Sequence, residues 1–115
     1  MSNNVIDDHV RAFNARDLSA FLVCFSDEIE IFKLPGEEVI AQGLDSIRAG
    51  YAKKFNDSPD LNCVILNKMT QGKYTVLHEK ITGYPKSPLT CNIALYEVEN
   101  ERIRRVWLIG ENEAE

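Results

Sequence analysis

The chain is short of most features that announce a function. It has two histidines, one tryptophan and three widely spaced cysteines in 115 residues. No H-x-H or H-E-x-x-H spacing is present, so a metal site is not expected. Cys24, Cys63 and Cys91 are odd in number, form no C-x-x-C and sit among apolar neighbours. They read as buried reduced thiols, which places the protein in the cytoplasm. No glycine-rich phosphate loop follows a strand, and neither G-x-S-x-G nor a catalytic-cysteine motif occurs. No cofactor is implied. No run approaches the roughly 18 continuous apolar residues of a membrane span. The opening MSNNVIDDHV lacks the basic segment and apolar stretch of a signal peptide. With 18 acidic against 13 basic residues the formal charge is −5, and no Lys/Arg stripe stands out. Nucleic acids and anionic membranes, which need concentrated positive surface, are therefore not expected partners.

What is present is the composition of an ordinary globular protein, 44% apolar and 27% charged. Residues 1–115 read as one domain with one core and a modest cavity, ending in a frayed acidic tail over 111–115. Ile6, Val10 and Phe13 follow helical spacing from Val5 to Arg16, with His9 beside them. Asp17 resembles the N-cap of a short second helix carrying Leu18, Phe21, Leu22 and Phe25 on one stripe. "EIEIFKLPGEEV", from Glu28 to Val39, opens as a half-buried strand, turns at Pro35-Gly36, and returns over Glu37 to Gln42. Leu44, Ile47, Tyr51 and Phe55 then recur at intervals of three and four, which predicts a third helix.

Beyond Ser58-Pro59 the pattern changes to β-rich runs: Leu61–Met69, Lys73–Thr82, Leu89–Val98 and Arg102–Ile109. Early helices followed by consecutive strands with short connections predict an α+β fold, helices covering one face of an antiparallel meander. Such a sheet curves and encloses a pocket beneath the helices.

Side-chain alternation selects the candidates for that pocket. Lys33 shares a face with Ile29 and Ile31 and so extends an apolar row. Facing a largely apolar cavity, its amine would lose hydration, which favours the neutral, nucleophilic form. It could pair with a carboxylate, bind an anionic ligand or attack a carbonyl; near the strand end it could equally reach water or pair with Glu37 or Glu38. His78 and Glu79 are adjacent, so they point to opposite faces. Glu79 goes with Thr75, Leu77 and Ile81 and is the inward one, a proton-transfer group or half of a structural ion pair. His9, one turn from Val5 and Phe13, is a cavity donor or a structural histidine. Phe13, Tyr51 and Tyr96 are candidate lining aromatics, or simply core, and Trp107 is a lining, core or dimer-interface residue. In the last strand Ile103, Arg105, Trp107 and Ile109 fall on one face, and Arg104, Val106 and Leu108 on the other.

The stretch "FNARDLSAFLVCFSDEIEIF", with "GLDSIRAGYAKKF", "HEKITG" and "ERIRRVW" in order after it, resembles the NTF2-like superfamily, closest to its SnoaL-like and ketosteroid-isomerase-like members. The resemblance implies a cone-shaped, cystatin-like α+β barrel of three helices on a curved antiparallel sheet. It also implies a homodimer through the outer sheet face and a small apolar or amphipathic ligand. Isomerases of that family use an aspartate base, with a tyrosine and a protonated aspartic acid as oxyanion donors. Those positions fall here on Lys33, His9 and a residue near Ala94. An ammonium cannot accept the base's proton and alanine donates nothing, so that steroid mechanism is not carried over. The expectation is a small-molecule-binding protein using Lys33, Glu79 or His9, isomerase-like or polyketide-cyclase-like if catalytic. The alternative is a non-catalytic ligand-binding or protein-interaction module.

Overall fold

The computed structural model describes residues 5–36, 38–85 and 89–110. The expected acidic tail, 111–115, lies outside them, as does Glu37. The elements are α1 (Val5–Ala15), α2 (Leu18–Leu22), β1 (Phe25–Lys33), β2 (Glu38–Gln42), α3 (Leu44–Asp57), β3 (Asn62–Gln71), β4 (Tyr74–Thr82), β5 (Leu89–Glu99) and β6 (Arg102–Gly110). Six strands form one sheet in the order β2-β1-β6-β5-β4-β3. β3 to β6 are the expected antiparallel meander, whereas β1 joins it by running parallel to β6. Among the described residues no helix is long and apolar enough to cross a membrane.

The N-A-R-D segment builds the corner between helices and sheet. The Asn14 side-chain amide donates to the Cys63 carbonyl at 3.0 Å, and its oxygen accepts from the Cys63 amide at 2.6 Å. That two-way clamp pins the end of α1 to the start of β3 using groups a helix end and a sheet margin leave free. Arg16 takes a left-handed turn, φ 53°, and donates to the Leu61 carbonyl at 2.7 Å. Asp17 caps α2 by accepting from the Ala20 amide at 3.1 Å.

Two local expectations are corrected. Phe25 is not on the α2 stripe: the helix stops at Leu22, and Phe25 opens β1 opposite Ile103 of β6. On β6 strict alternation fails because the register shifts between the pairs Glu97–Arg105 and Val98–Ile103, leaving Arg104 as an extra residue. That bulge puts Ile103 and Val106 both inside.

The core lies between helices and sheet. Ile6, Phe21, Ile29, Ile47, Leu61, Leu77 and Ile103 are its most buried large side chains. Phe21 is the hub of an aromatic cluster, with ring centroids 4.6 Å from Tyr51, 4.9 Å from Phe25 and 5.6 Å from Phe55. Rings are rigid and pack edge to face, so such a cluster fills space without flowing into every gap. At the far end of β4, Gly83 has φ +98°, and a Cβ there would collide with the Asp60 carbonyl. Glycine thus lets the chain pass tightly over the entry to β3, and that passage delivers Tyr84 to the edge of the core.

Candidate functional site

Along β4, Thr75, Leu77, Glu79 and Ile81 are all buried, so alternation does send Glu79 inward. His78 lies on the opposite face, 3.3 Å from the Asn67 amide. On β5 the inward residues are Asn92, Ala94 and Tyr96; Asn92 pairs directly with Glu79 and Tyr96 with Thr75. Ala94 stands between them, and its small side chain lets the Tyr96 ring lie along the strand. The Tyr96 hydroxyl then donates to Glu79 Oε2 at 2.9 Å.

This pair faces a partly enclosed cavity of about 110 Å³ walled by Phe13, Phe21, Phe25, Ile31, Ile81 and Val106, with His9, Tyr51, Lys54, Cys63, Tyr84 and Asn92 also reaching it. Beyond it opens a vestibule of about 620 Å³ lined by Lys33, Lys53, Asp57, Ser58 and Thr90 among others. Lys54, Tyr84, Asn92 and Leu108 border both spaces and form the neck. Thr90 Oγ1 is buried in the vestibule wall and has no hydrogen-bond partner among the described residues.

The electrostatics follow from dryness. Burial pushes the Glu79 carboxyl up to about 7, against the Tyr96 hydrogen bond and the Lys54 charge, which pull it back. Burial and the neighbouring Glu79 charge raise Tyr96 well above the usual phenol range, so its hydroxyl keeps its proton. His9 is lowered to about 4 by burial, outweighing the hydrogen bond to Ile6 and the Asp7 charge. Its Nδ1 lies 2.6 Å from the Ile6 carbonyl, which only accepts, so the neutral ring carries its proton there. Nε2 is then an acceptor, and His9 does not serve as the cavity donor expected from sequence. Burial pushes the Cys63 thiol up to about 12, which keeps it unreactive.

Of the sequence candidates, Glu79, His9, Phe13, Tyr51 and Tyr96 converge on the enclosed cavity. Lys33 does not reach it. Alternation carries it to the same side as Ile31, but β1 outruns the cavity and its amine lines the vestibule instead. Trp107 is on the other side of the sheet, stacked on Phe32 at 5.7 Å and 17°, because the β6 bulge leaves Val106 and Leu108 facing in. Lys54 was missed, although it falls on the stripe of Ile47 and Tyr51, one turn after Tyr51. Tyr84 and Asn92 were missed too, one because it follows a strand, the other because its partner across the sheet was not known.

The family model for the SnoaL-like domain matches residues 6–106. No curated protein matches the chain. Among solved structures, a cystatin-fold protein from Novosphingobium aromaticivorans superposes with TM-score 0.83 at 24% identity, covering 95% of this chain and 98% of that one. A proposed SnoaL-like polyketide cyclase from Shewanella denitrificans OS-217 gives 0.79 at 10% identity over 97% and 91% of the two chains. A proposed ketosteroid isomerase from Kribbella flavida DSM 17836 gives 0.80 at 12%, over 96% and 77%. At these identities the likeness is one of fold, the NTF2-like cone.

A carboxyl whose folded value, about 7, exceeds its ordinary 4.5 favours folding only while protonated. Its contribution is therefore intact below about pH 4.5 and is lost as pH rises through 7. His9 acts in reverse: lowered from 6.5 to about 4, it makes stability rise with pH across that window. The two oppose each other between about 4.5 and 6.5, so wild type alone hides both. The stability of Glu79→Gln minus that of wild type isolates the acid. It should grow by about 3 kcal/mol from pH 4.5 to pH 8 in urea unfolding. A difference that does not change with pH would mean that Glu79 ionises normally.

Proposed function

The chain belongs to the SnoaL-like domain family, and from that premise we propose that it is a small-molecule enzyme of isomerase or cyclase type. Its guest is a small apolar or amphipathic molecule taken into the Glu79 cavity, and Glu79 moves a proton on that guest. The observation that carries this reading is the Tyr96–Glu79 hydrogen bond inside an apolar enclosure, with the carboxyl lifted to about 7. A carboxylate in water is too weak a base to take a proton from carbon at neutral pH. One lifted to about 7 is still half ionised there and is a stronger acceptor.

The roles divide by atom. Tyr96 holds Oε2, leaving Oε1 to accept a proton from a carbon next to a carbonyl and return it elsewhere on the guest. The negative charge that develops on the carbonyl oxygen needs a donor, and the neck supplies the Asn92 amide and the Lys54 ammonium. His9 orients by accepting. The family's usual base position, occupied here by Lys33, takes no part in the proton transfer.

Two further parts of the reading concern setting. We place the protein in the cytoplasm, in keeping with its three free thiols. It works as a homodimer through the outer sheet face, where Ile93 and Ile109 are exposed near the Phe32–Trp107 stack and Met69 is exposed further along the sheet.

Exchange of α-hydrogens in a panel of small ketones in D2O, followed by NMR, tests the chemistry. Glu79→Gln should slow exchange about 10²- to 10⁴-fold with ligand affinity kept. Tyr96→Phe removes a bond that favours the ionised acid, so the pH midpoint of the rate should move up. Exchange that survives Glu79→Gln would show that Glu79 is not the proton-transfer group, and wild-type exchange no faster than in buffer would leave a binding module rather than an enzyme. For assembly, sedimentation equilibrium should give a dimer for wild type and a monomer for Ile93→Asp. A monomeric wild type would remove the dimer from the account.

A further inference from the structure

We infer that the neck is an anion-recognition site built on Lys54, and that the ligand is a small carboxylate with an apolar tail. The inference rests on the cavity being a ligand site, and it adds which ligands enter.

The first ground is pairing. Lys53 binds Asp57 at 2.8 Å, Lys68 binds Asp7 at 3.0 Å and Lys73 binds Glu97 at 3.1 Å. Lys54 is more enclosed than any of these and, among the described residues, makes no ion pair. It is held instead by aromatic faces: its Nζ lies 4.5 Å from the Tyr51 ring centroid and 5.6 Å from that of Tyr84. Two ring faces keep an ammonium in place but do not take a hydrogen bond from it as a carboxylate does, and a half-buried cation without an anion is poorly compensated. Burial accordingly lowers its proton affinity, with Glu79 opposing. Glu79 is the carboxyl that acts on it, yet that acid is engaged by Tyr96 and lies beyond ion-pair reach.

The second ground is position. Lys54 stands where the cavity meets the vestibule, and Asn92, whose side chain makes no hydrogen bond among the described residues, borders the same two spaces. A ligand anion there would meet an ammonium and an amide N–H at once, while open space behind it keeps its outer side hydrated. The third is size. A cavity of about 150 Å³ accepts benzene. The enclosed 110 Å³ is smaller and takes a tail of about five carbons, with the head left at the neck. A net charge of −5 gives no long-range attraction for anions, so the preference is local to this lysine.

Hexanoate and hexanamide share one tail and differ in charge, so they serve as the probes. Amide shifts of ¹⁵N-labelled protein report affinity and location at pH 8. Hexanoate should bind at least about tenfold more tightly than hexanamide, with the largest shifts around Lys54, Tyr84 and Asn92. Lys54→Met should abolish the preference by weakening hexanoate at least about tenfold, while Lys53→Met should retain it. Were Lys54→Met unable to fold, the wild-type ratio and Lys54→Gln would decide. Equal affinities, a preference that survives loss of Lys54, or shifts confined to surface lysines would overturn the inference; hexanamide binding would then leave the cavity reading standing. Neither probe reaching the cavity would end both.

Discussion

A tyrosine hydroxyl donating to a carboxyl inside an apolar enclosure is the interaction on which the site depends. Left alone in that enclosure, Glu79 would be held protonated more firmly, and would be a poor base at neutral pH. Set in water, it would ionise at its ordinary value and be a weak one. Tyr96 offsets part of the desolvation and leaves the acid near neutrality, with one oxygen held and one open. The rest of the architecture serves that balance. Ala94 makes room for the Tyr96 ring, and the Asn14 clamp on Cys63 holds α1 over the sheet. The aromatic cluster around Phe21 keeps water from the inner wall.

On the reading proposed for Glu79, the fold keeps its cavity while moving its chemistry. The resemblance stated from the sequence puts a base at the end of the first strand, and here that position is Lys33, outside the enclosed space. The acid has instead come from the middle of β4 and its hydrogen-bond donor from β5. A cone lined by several strands offers many inward positions at similar depth, so a carboxyl on any of them can serve if a neighbour tunes it. That is why likeness of fold, at 10 to 24% identity, does not carry residue roles from one chain to another.

Legibility in the sequence followed the range of the interactions involved. The three helices, the meander and the inward aim of Glu79 could be read because each depends on periodicity within one segment. The N-A-R-D corner was recognisable as a pattern, but what it does, bridging Asn14 to Cys63, is a contact between distant segments. Trp107 lies on the outer face and does not line the site for a related reason: a single extra residue at Arg104 reverses the alternation beyond it, and bulges carry little local signal. Alternation gives Lys33 its direction but not its distance along the cavity, and its side chain lines the vestibule. Lys54 was visible on the Ile47–Tyr51 stripe. A lysine there is commonly a solvated flank, and the approach of Tyr84 from another element makes it otherwise.

The site's chemistry turns on the ionisation of one carboxyl, and ¹³C NMR of the Glu79 side-chain carbonyl, followed across pH in the folded wild-type protein, measures it. The midpoint should lie close to 7. A midpoint in the ordinary carboxylate range, near 4.5, would show Glu79 to be wet or ion-paired, and the proton-transfer reading would fall with it.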